Sequence, residues 1–269
     1  MADPHDLLPV AVEAARAAGG LLLEGRQQVG RTADAETKTS GTDMVTEMDR
    51  ASEALLARVI LTARPDDAFL GEEGTSGVGT TGVRWVVDPL DGTTNYLYGF
   101  PAWVVSVAAE VDGQVEAGAV FDPTHDEMFT AVRGGGAHCQ RRPLRVEGPP
   151  DLATALVATG FSYDASARGQ QAAELAQLLP SVRDVRRAGA AALDLCWVAC
   201  GRVDLYYERG IQPWDWAAGG LVASEAGARV TSSEDGTVLA APPQLHDPFL
   251  QLLHDARVRV GPTTATQDP

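Results

Sequence analysis

The segment "WVVDPLDGTTNYLYGFP", residues 85–101, decides how the rest of the chain is read. It opens as an apolar, β-branched run suited to a buried strand. Asp88 and Asp91 follow three apart, around Pro89 and beside Gly92. Carboxylates at the buried end of a strand are costly unless something positive meets them. Pro89 stiffens the turn, so both acids and the Leu90 carbonyl between them can face one point. Gly92 lets the backbone approach a ligand with no Cβ in the way. A helix starting at Thr93 would aim its free amides at the same place and suit an anion.

Three further acids punctuate turns rather than helix surfaces: Glu72 and Glu73 in "AFLGEEG", and Asp215 in "QPWDWAAGG". Arg84, four residues before Asp88, is the nearest basic residue to any of the five in sequence. Acids in apolar surroundings either take up protons or bind a metal ion. Oxygen donors without histidine or cysteine select Mg²⁺, Mn²⁺ or Ca²⁺ over zinc. Two such ions beside a helix start form a site for water attack on phosphorus, with Thr93 orienting that water through a carboxylate partner. Singly, each motif has a plainer reading: a tight turn, an exposed acidic turn, or a helix cap between core aromatics. Their occurrence together, each at the end of an apolar run, favours the chemistry.

The charge balance agrees with a bound cation. Twenty-one Lys+Arg against 37 Asp+Glu leave a formal charge of −16, which disfavours nucleic acid and anionic membrane as partners. A phosphate ester would be repelled by such a chain unless divalent cations intervened. Cys139, Cys196 and Cys200 form no metal-binding pair, and the five histidines are scattered. Cys196 and Cys200, four apart on one helix face, read as small buried hydrophobes of a reducing cytoplasm. Asp3 and Asp6 stand where a secretion signal would be basic, and no apolar run reaches membrane-spanning length, so the expected location is cytoplasmic.

Helical periodicity covers residues 6–29, ending near Gly30, and a second amphipathic helix runs up to Pro65, with Asp43 or Thr46 as its cap. Gly74–Gly82 reads as a loop with nothing apolar to bury. Residues 103–146 read as antiparallel strands, with Asp112-Gly113 as a hairpin turn and Gly134–Gly136 as a bend. Pro149-Pro150 marks a domain boundary within residues 146–152. Beyond it, strands in "ALVATGF", "LYYE" and "ARVT" alternate with helices in "ARGQQAAELAQLL", "AGAAALDLCWVACG" and "WDWAAGGLVASEAG". That alternation predicts an α/β half, 147–269, after an α+β half, 1–146.

Taken together, "GEEG" (71–74), "WVVDPLDGTTNY" (85–96) and "YYERGIQPWDWAAGGLVASEAGA" (206–228) resemble the signature segments of the inositol monophosphatase family. "KTSGTDMVTEMD" (38–49) and "RRAGAAALDLC" (186–196) fit the same family, so the likeness spans about residues 8–240. The second half is most similar to bacterial members of the inositol-1-monophosphatase type. The resemblance implies a layered αβαβα sandwich and Mg²⁺-dependent hydrolysis of a small phosphate monoester by direct water attack, with two to three Mg²⁺ per active site.

Residue by residue, the resemblance makes Glu72, Asp88 and the Leu90 carbonyl ligands of a first metal site, and Asp88, Asp91 and Asp215 ligands of a second. Thr93 with Asp49 resembles the pair that activates water, and Glu73 supports the water shell. The Gly92 and Thr93 amides would hold phosphate. Glu208 resembles the acceptor for inositol hydroxyls, with Gly189, Ala190 and Ala191 lining that pocket. Lys38 and Asp43 match a mobile loop that contributes a weaker metal. Inhibition by lithium and a homodimer are further family expectations. Two features depart from the pattern: Gln212-Pro213 stand where many relatives have a histidine and a small residue, and Gly74–Gly82 is unusually rich in glycine and threonine.

Within the superfamily the alternative substrates are histidinol phosphate, fructose 1,6-bisphosphate and a nucleotide 3′-phosphate. "DGTTN" disfavours the last, whose enzymes more often carry Lys-Glu after the first threonine. "DGT" is also similar to aspartyl-phosphate hydrolases, but those need acids two apart, whereas Asp88 and Asp91 are three apart. A non-catalytic role with the transcription apparatus is the remaining reading, known for some bacterial relatives.

Overall fold

A computed structural model describes residues 3–26, 36–37, 44–45 and 47–261. Lys38, Asp43 and Thr46 lie outside the described residues. The helices are α1 (Pro4–Arg26), α2 (Glu47–Ala63), α3 (Thr93–Tyr98), α4 (Ala165–Leu178), α5 (Ala191–Cys200), α6 (Pro213–Glu225) and α7 (Pro243–Val260). Two larger sheets separate them into layers.

The large sheet has eight strands, with Val83–Asp91 hydrogen-bonded between Val104–Val111 and Ala68–Gly71. Alternation along Val83–Asp91 sends Trp85 and Val87 to one face and Val86 to the other. Trp85 and Val87 pack with Leu7, Ala11 and Leu22 of α1 and Leu56 and Ile60 of α2. Small residues let α1 lie close to the sheet: a Cβ on Gly19 would sit 2.4 Å from the Phe121 ring. On the opposite face, Val86, Ala108 and Val120 meet Ala192 and Cys196 of α5 and Ala218 and Val222 of α6.

The same two helices cover one face of the second sheet, where Leu195 and Ala223 pack on Tyr206, Val238 and Ala240. Its other face buries Leu205, Tyr207 and Leu239 against Leu178 of α4 and Leu245, Phe249 and Leu253 of α7. The order is therefore helix pair, sheet, helix pair, sheet, helix pair: the αβαβα sandwich expected from the family resemblance. The middle pair, α5 and α6, serves both cores.

The second sheet is mixed. Leu156–Thr159 runs parallel to Asp184–Arg186 and Leu205–Arg209, while Thr237–Ala241 is antiparallel to both Leu205–Arg209 and Arg229–Ser232. Asp184–Arg186, Thr237–Ala241 and α7 go beyond the elements marked by sequence pattern. Pro242, Pro243 and Pro248 disguise α7, yet Pro243 occupies its first turn, where a missing N–H costs nothing.

Asp112 and Gly113 do form the predicted hairpin turn, with φ of 52° and 83°. Gly74–Gly82 is more ordered than a bare loop. Ser76–Gly77 pairs with Phe69–Leu70, and a Cβ on Gly79 would lie 2.2 Å from the Ala68 amide. Close backbone approach explains that glycine.

Candidate active site

Asp88 and Asp91 owe their shared direction to a β-bulge. Asp88 pairs with Ser106 and Asp91 with Val104, so Pro89 and Leu90 together stand opposite Val105 alone. Residues three apart on a regular strand point to opposite faces; the extra residue restores one face for both acids. Proline suits a bulge, having no N–H to offer a ladder. Ser52 of α2 fastens the turn by donating to the Pro89 carbonyl at 2.8 Å.

Both acids open into a cleft of about 430 Å³ between the sheets. Its walls also carry Glu72, Gly92, Thr93, Gly189, Ala191, Glu208 and Asp215. Ala190, expected beside them, is buried in the core instead. Among the described residues, the lining includes no histidine or cysteine.

Asp91 accepts hydrogen bonds from the Ala191 and Ala192 amides at 3.1 and 2.7 Å, capping α5 from a strand a hundred residues earlier. Asp215 sits at the third position of α6, where its carboxylate accepts from the Gln212 amide at 2.5 Å. Gln212 caps α6 in return and Pro213 occupies the first turn, so the Gln212-Pro213 departure from the family pattern has a structural role. Glu208 accepts from the Tyr206 hydroxyl at 2.9 Å; a Cβ on Gly160 would strike its carboxylate at 1.9 Å.

Thr93 Oγ1 lies 3.0 Å from Asp49 Oδ2 and 3.1 Å from the Leu90 carbonyl, so its one hydroxyl hydrogen has two acceptors within reach. Asp49 is buried on α2. Glu73 is anchored through its backbone: its amide donates to Glu53 at 2.7 Å, and its carboxylate lies 4.0 Å from Arg50 Nε.

Burial raises the Asp88 carboxyl well above the usual range, and the nearby charges of Glu72, Asp91, Asp215 and Asp49 push the same way. Asp91 is likewise raised, by burial and then by Asp215, against the pull of the two amides. Burial pushes Asp215 up to about 7, opposed by the Gln212 amide. Glu208 is raised by burial, which the Tyr206 hydroxyl and Arg187 offset in part. A concentration of raised carboxyls on one stretch of the cleft fits a hard divalent cation, whose charge would reverse these shifts. Among the described residues no three such side chains are gathered closely enough to hold an ion as they stand. The carboxylates ring the cleft, and an ion would share their oxygens with the amides, using the remaining lone pairs.

Sequence pattern did not single out Ser52, Glu53 or Asp194. The first two look like solvent-facing positions of an amphipathic helix. Asp194 carried a usable signal, an acid inside the apolar run "AALDLCWV". It is buried in α5 and held well above its ordinary pKa, chiefly by burial and next by Glu208.

Among the described residues no helix is long and apolar enough to cross a membrane. The model of the inositol monophosphatase family matches residues 3–259. "Inositol-1-monophosphatase SuhB" of Mycobacterium tuberculosis (strain ATCC 25618 / H37Rv) is 43% identical, over 93% of this chain and 94% of that protein. "Nus factor SuhB" of Pasteurella multocida is also 43% identical, over 86% of this chain and 87% of its own length. The crystal structure of the extragenic suppressor protein suhB from Bartonella henselae superposes with a TM-score of 0.86 at 36% identity, covering 92% of this chain and 98% of that one. By matched length, by identity and by fold, the chain belongs to the inositol monophosphatase family.

Proposed function

We propose that this chain is a Mg²⁺-dependent phosphomonoesterase that hydrolyses inositol monophosphate and related polyol phosphates. The observation that carries the proposal is the bulge that turns Asp88 and Asp91 to one face, with Glu72 and Asp215 on the walls of the same cleft. Glu72, Asp88, the Leu90 carbonyl, Asp91 and Asp215 are the proposed donors to magnesium. Magnesium held there supplies Lewis acidity toward phosphoryl oxygen and lowers the pKa of water.

The protein's own groups do the rest. Donation from Thr93 to Asp49 leaves Oγ1 free to accept a hydrogen bond from the attacking water. As oxygen attacks phosphorus, that water's proton moves to Thr93 Oγ1 and the threonine proton moves to Asp49. The Gly92 and Thr93 amides hold the phosphate, and the inositol oxygen leaves as an alcohol by taking a proton from a second water, so the proton lodged on Asp49 balances the hydroxide that this water leaves behind. Glu208 accepts hydrogen bonds from the substrate hydroxyls, beside Gly189 and Ala191. Glu73 is assigned to support of metal-bound water, and Lys38 and Asp43 to the loop that contributes a further, weaker metal. Lithium sensitivity, a cytoplasmic location and a homodimer complete the proposal, on family grounds.

Phosphate release from inositol 1-phosphate, histidinol phosphate, fructose 1,6-bisphosphate and a nucleotide 3′-phosphate, measured side by side, tests the substrate. Inositol 1-phosphate should rank first in kcat/KM; if it ranks among the poorest, the substrate assignment fails. A second reading, partner binding in transcription, is favoured by the relative named Nus factor. Capture of transcription proteins by a folded, inactive Asp91→Asn variant would support it.

A further inference from the structure

Helix α2 turns three buried polar side chains toward the segments that carry the cleft residues: Asp49, Ser52 and Glu53, which are 1%, 0% and 2% exposed. Their spacing places them on one face. Each holds a different piece of the candidate site. Asp49 meets the Thr93 hydroxyl, and Ser52 meets the Pro89 carbonyl of the bulge. Glu53 accepts from two amides of the next segment, Glu73 at 2.7 Å and Thr75 at 2.9 Å.

The Glu53 contact is built from both sides. The Gly71 amide donates to the Thr75 carbonyl at 2.9 Å, closing a turn whose inward amides face the carboxylate. A Cβ on Gly71 would lie 2.2 Å from Glu53 Oε2, so glycine is what lets the carboxylate into the turn. Glu72, which lines the cleft, is carried on that turn. A buried acid beside a cleft already ringed by acids is a costly way to satisfy two amides, unless the turn's position matters.

We infer that Glu53 is a positioning residue: by clamping the turn that carries Glu72, it sets the affinity of the site for a divalent cation it never touches. The inference rests on the metal-site reading proposed above. Groups that orient a ligand from outside change metal affinity by roughly 10–100-fold when removed. In Glu53→Gln the shape is kept, but an NH₂ group faces one of the two amides.

Calorimetric titration with Mn²⁺ tests this on the full chain, alongside thermal melting in a chelator. Glu53→Gln should weaken Mn²⁺ binding by roughly 10-fold or more. The Mg²⁺ concentration for half-maximal phosphate release should rise in parallel, while kcat at saturating Mg²⁺ changes less than about threefold. Glu53→Asp, which keeps the carboxylate but shortens its reach, should fall between the two, and it replaces Glu53→Gln if that variant does not fold. Gly71→Ala, which crowds the carboxylate without removing it, should weaken Mn²⁺ as well. Folded variants that bind Mn²⁺ like wild type, with only a lowered melting temperature, would reduce Glu53 to a structural role and overturn the inference. Wild-type protein that binds no Mn²⁺ would instead overturn the metal reading beneath it.

Discussion

Asp88 and Asp91 share one face of the large sheet, although three positions separate them, because Pro89 and Leu90 are accommodated opposite Val105. The bulge also sends Leu90 to the other side, into the core formed with α1 and α2. One irregularity thus anchors the turn in a hydrophobic core and presents two acids to the cleft.

Thr93 should separate proton relay from mere packing. Thr93→Ala removes the hydroxyl that meets Asp49 and should lower kcat by about 10²–10⁴-fold, the usual worth of a positioned acid–base group. Thr93→Ser keeps the hydroxyl and should retain most of the rate. Steady-state kinetics on both variants, with circular dichroism to confirm folding, reads the difference.

Gly160→Ala should act through Glu208. The added methyl would occupy the position of the Glu208 carboxylate, forcing it away from the cleft. KM for inositol 1-phosphate should rise by about tenfold, equivalent to roughly 1.4 kcal/mol of lost binding. Release of phosphate from a small aromatic phosphate ester without polyol hydroxyls should change much less.

The cation-free protein should lose stability as pH rises. Asp215 is pushed up to about 7 from 3.8, and Asp88 and Asp91 are raised in the same direction. Between those limits the native state keeps protons that the unfolded chain has released, so unfolding becomes easier with increasing pH through about 7. Thermal melts in a chelator should show a lower Tm at pH 8 than at pH 5. Added Mg²⁺ should raise Tm more at pH 8, because the cation binds the ionised acids.

Phe249→Ala offers a control remote from the chemistry. Phe249 is fully buried between α7 and the outer face of the second sheet, with its ring 5.1 Å from that of Tyr207. The cavity should cost about 3–5 kcal/mol in denaturant unfolding. Activity per folded molecule should stay near wild type.

Much of this architecture is legible from residue order, and the exceptions share a physical cause. A continuous apolar, β-branched run marks Trp85–Val87, and the Asp-Gly pair marks the hairpin at Asp112-Gly113; both signals are local. The acids of the cleft stand out because they end apolar runs. Ser52 and Glu53 do not, because a polar residue on an amphipathic helix looks alike whether it meets water or a buried turn. Only tertiary packing decides between them. Asp184–Arg186 spans three residues, too short for a periodic signal, and is held as a strand by its neighbour Leu156–Thr159. Ala190 shows the reverse error: motif likeness puts it in the pocket, while its side chain turns into the core.

Phosphate release from inositol 1-phosphate as a function of Mg²⁺, in wild type and in Asp91→Asn, tests whether the acids around the bulge hold the cation that drives phosphate ester hydrolysis. Wild type should be inactive in a chelator and recover with Mg²⁺. Asp91→Asn should fold, since its side-chain oxygen still caps an amide of α5, yet lose at least about 100-fold in activity at any Mg²⁺ concentration. Wild-type rates in folded Asp91→Asn, or full activity in the chelator, would contradict the account.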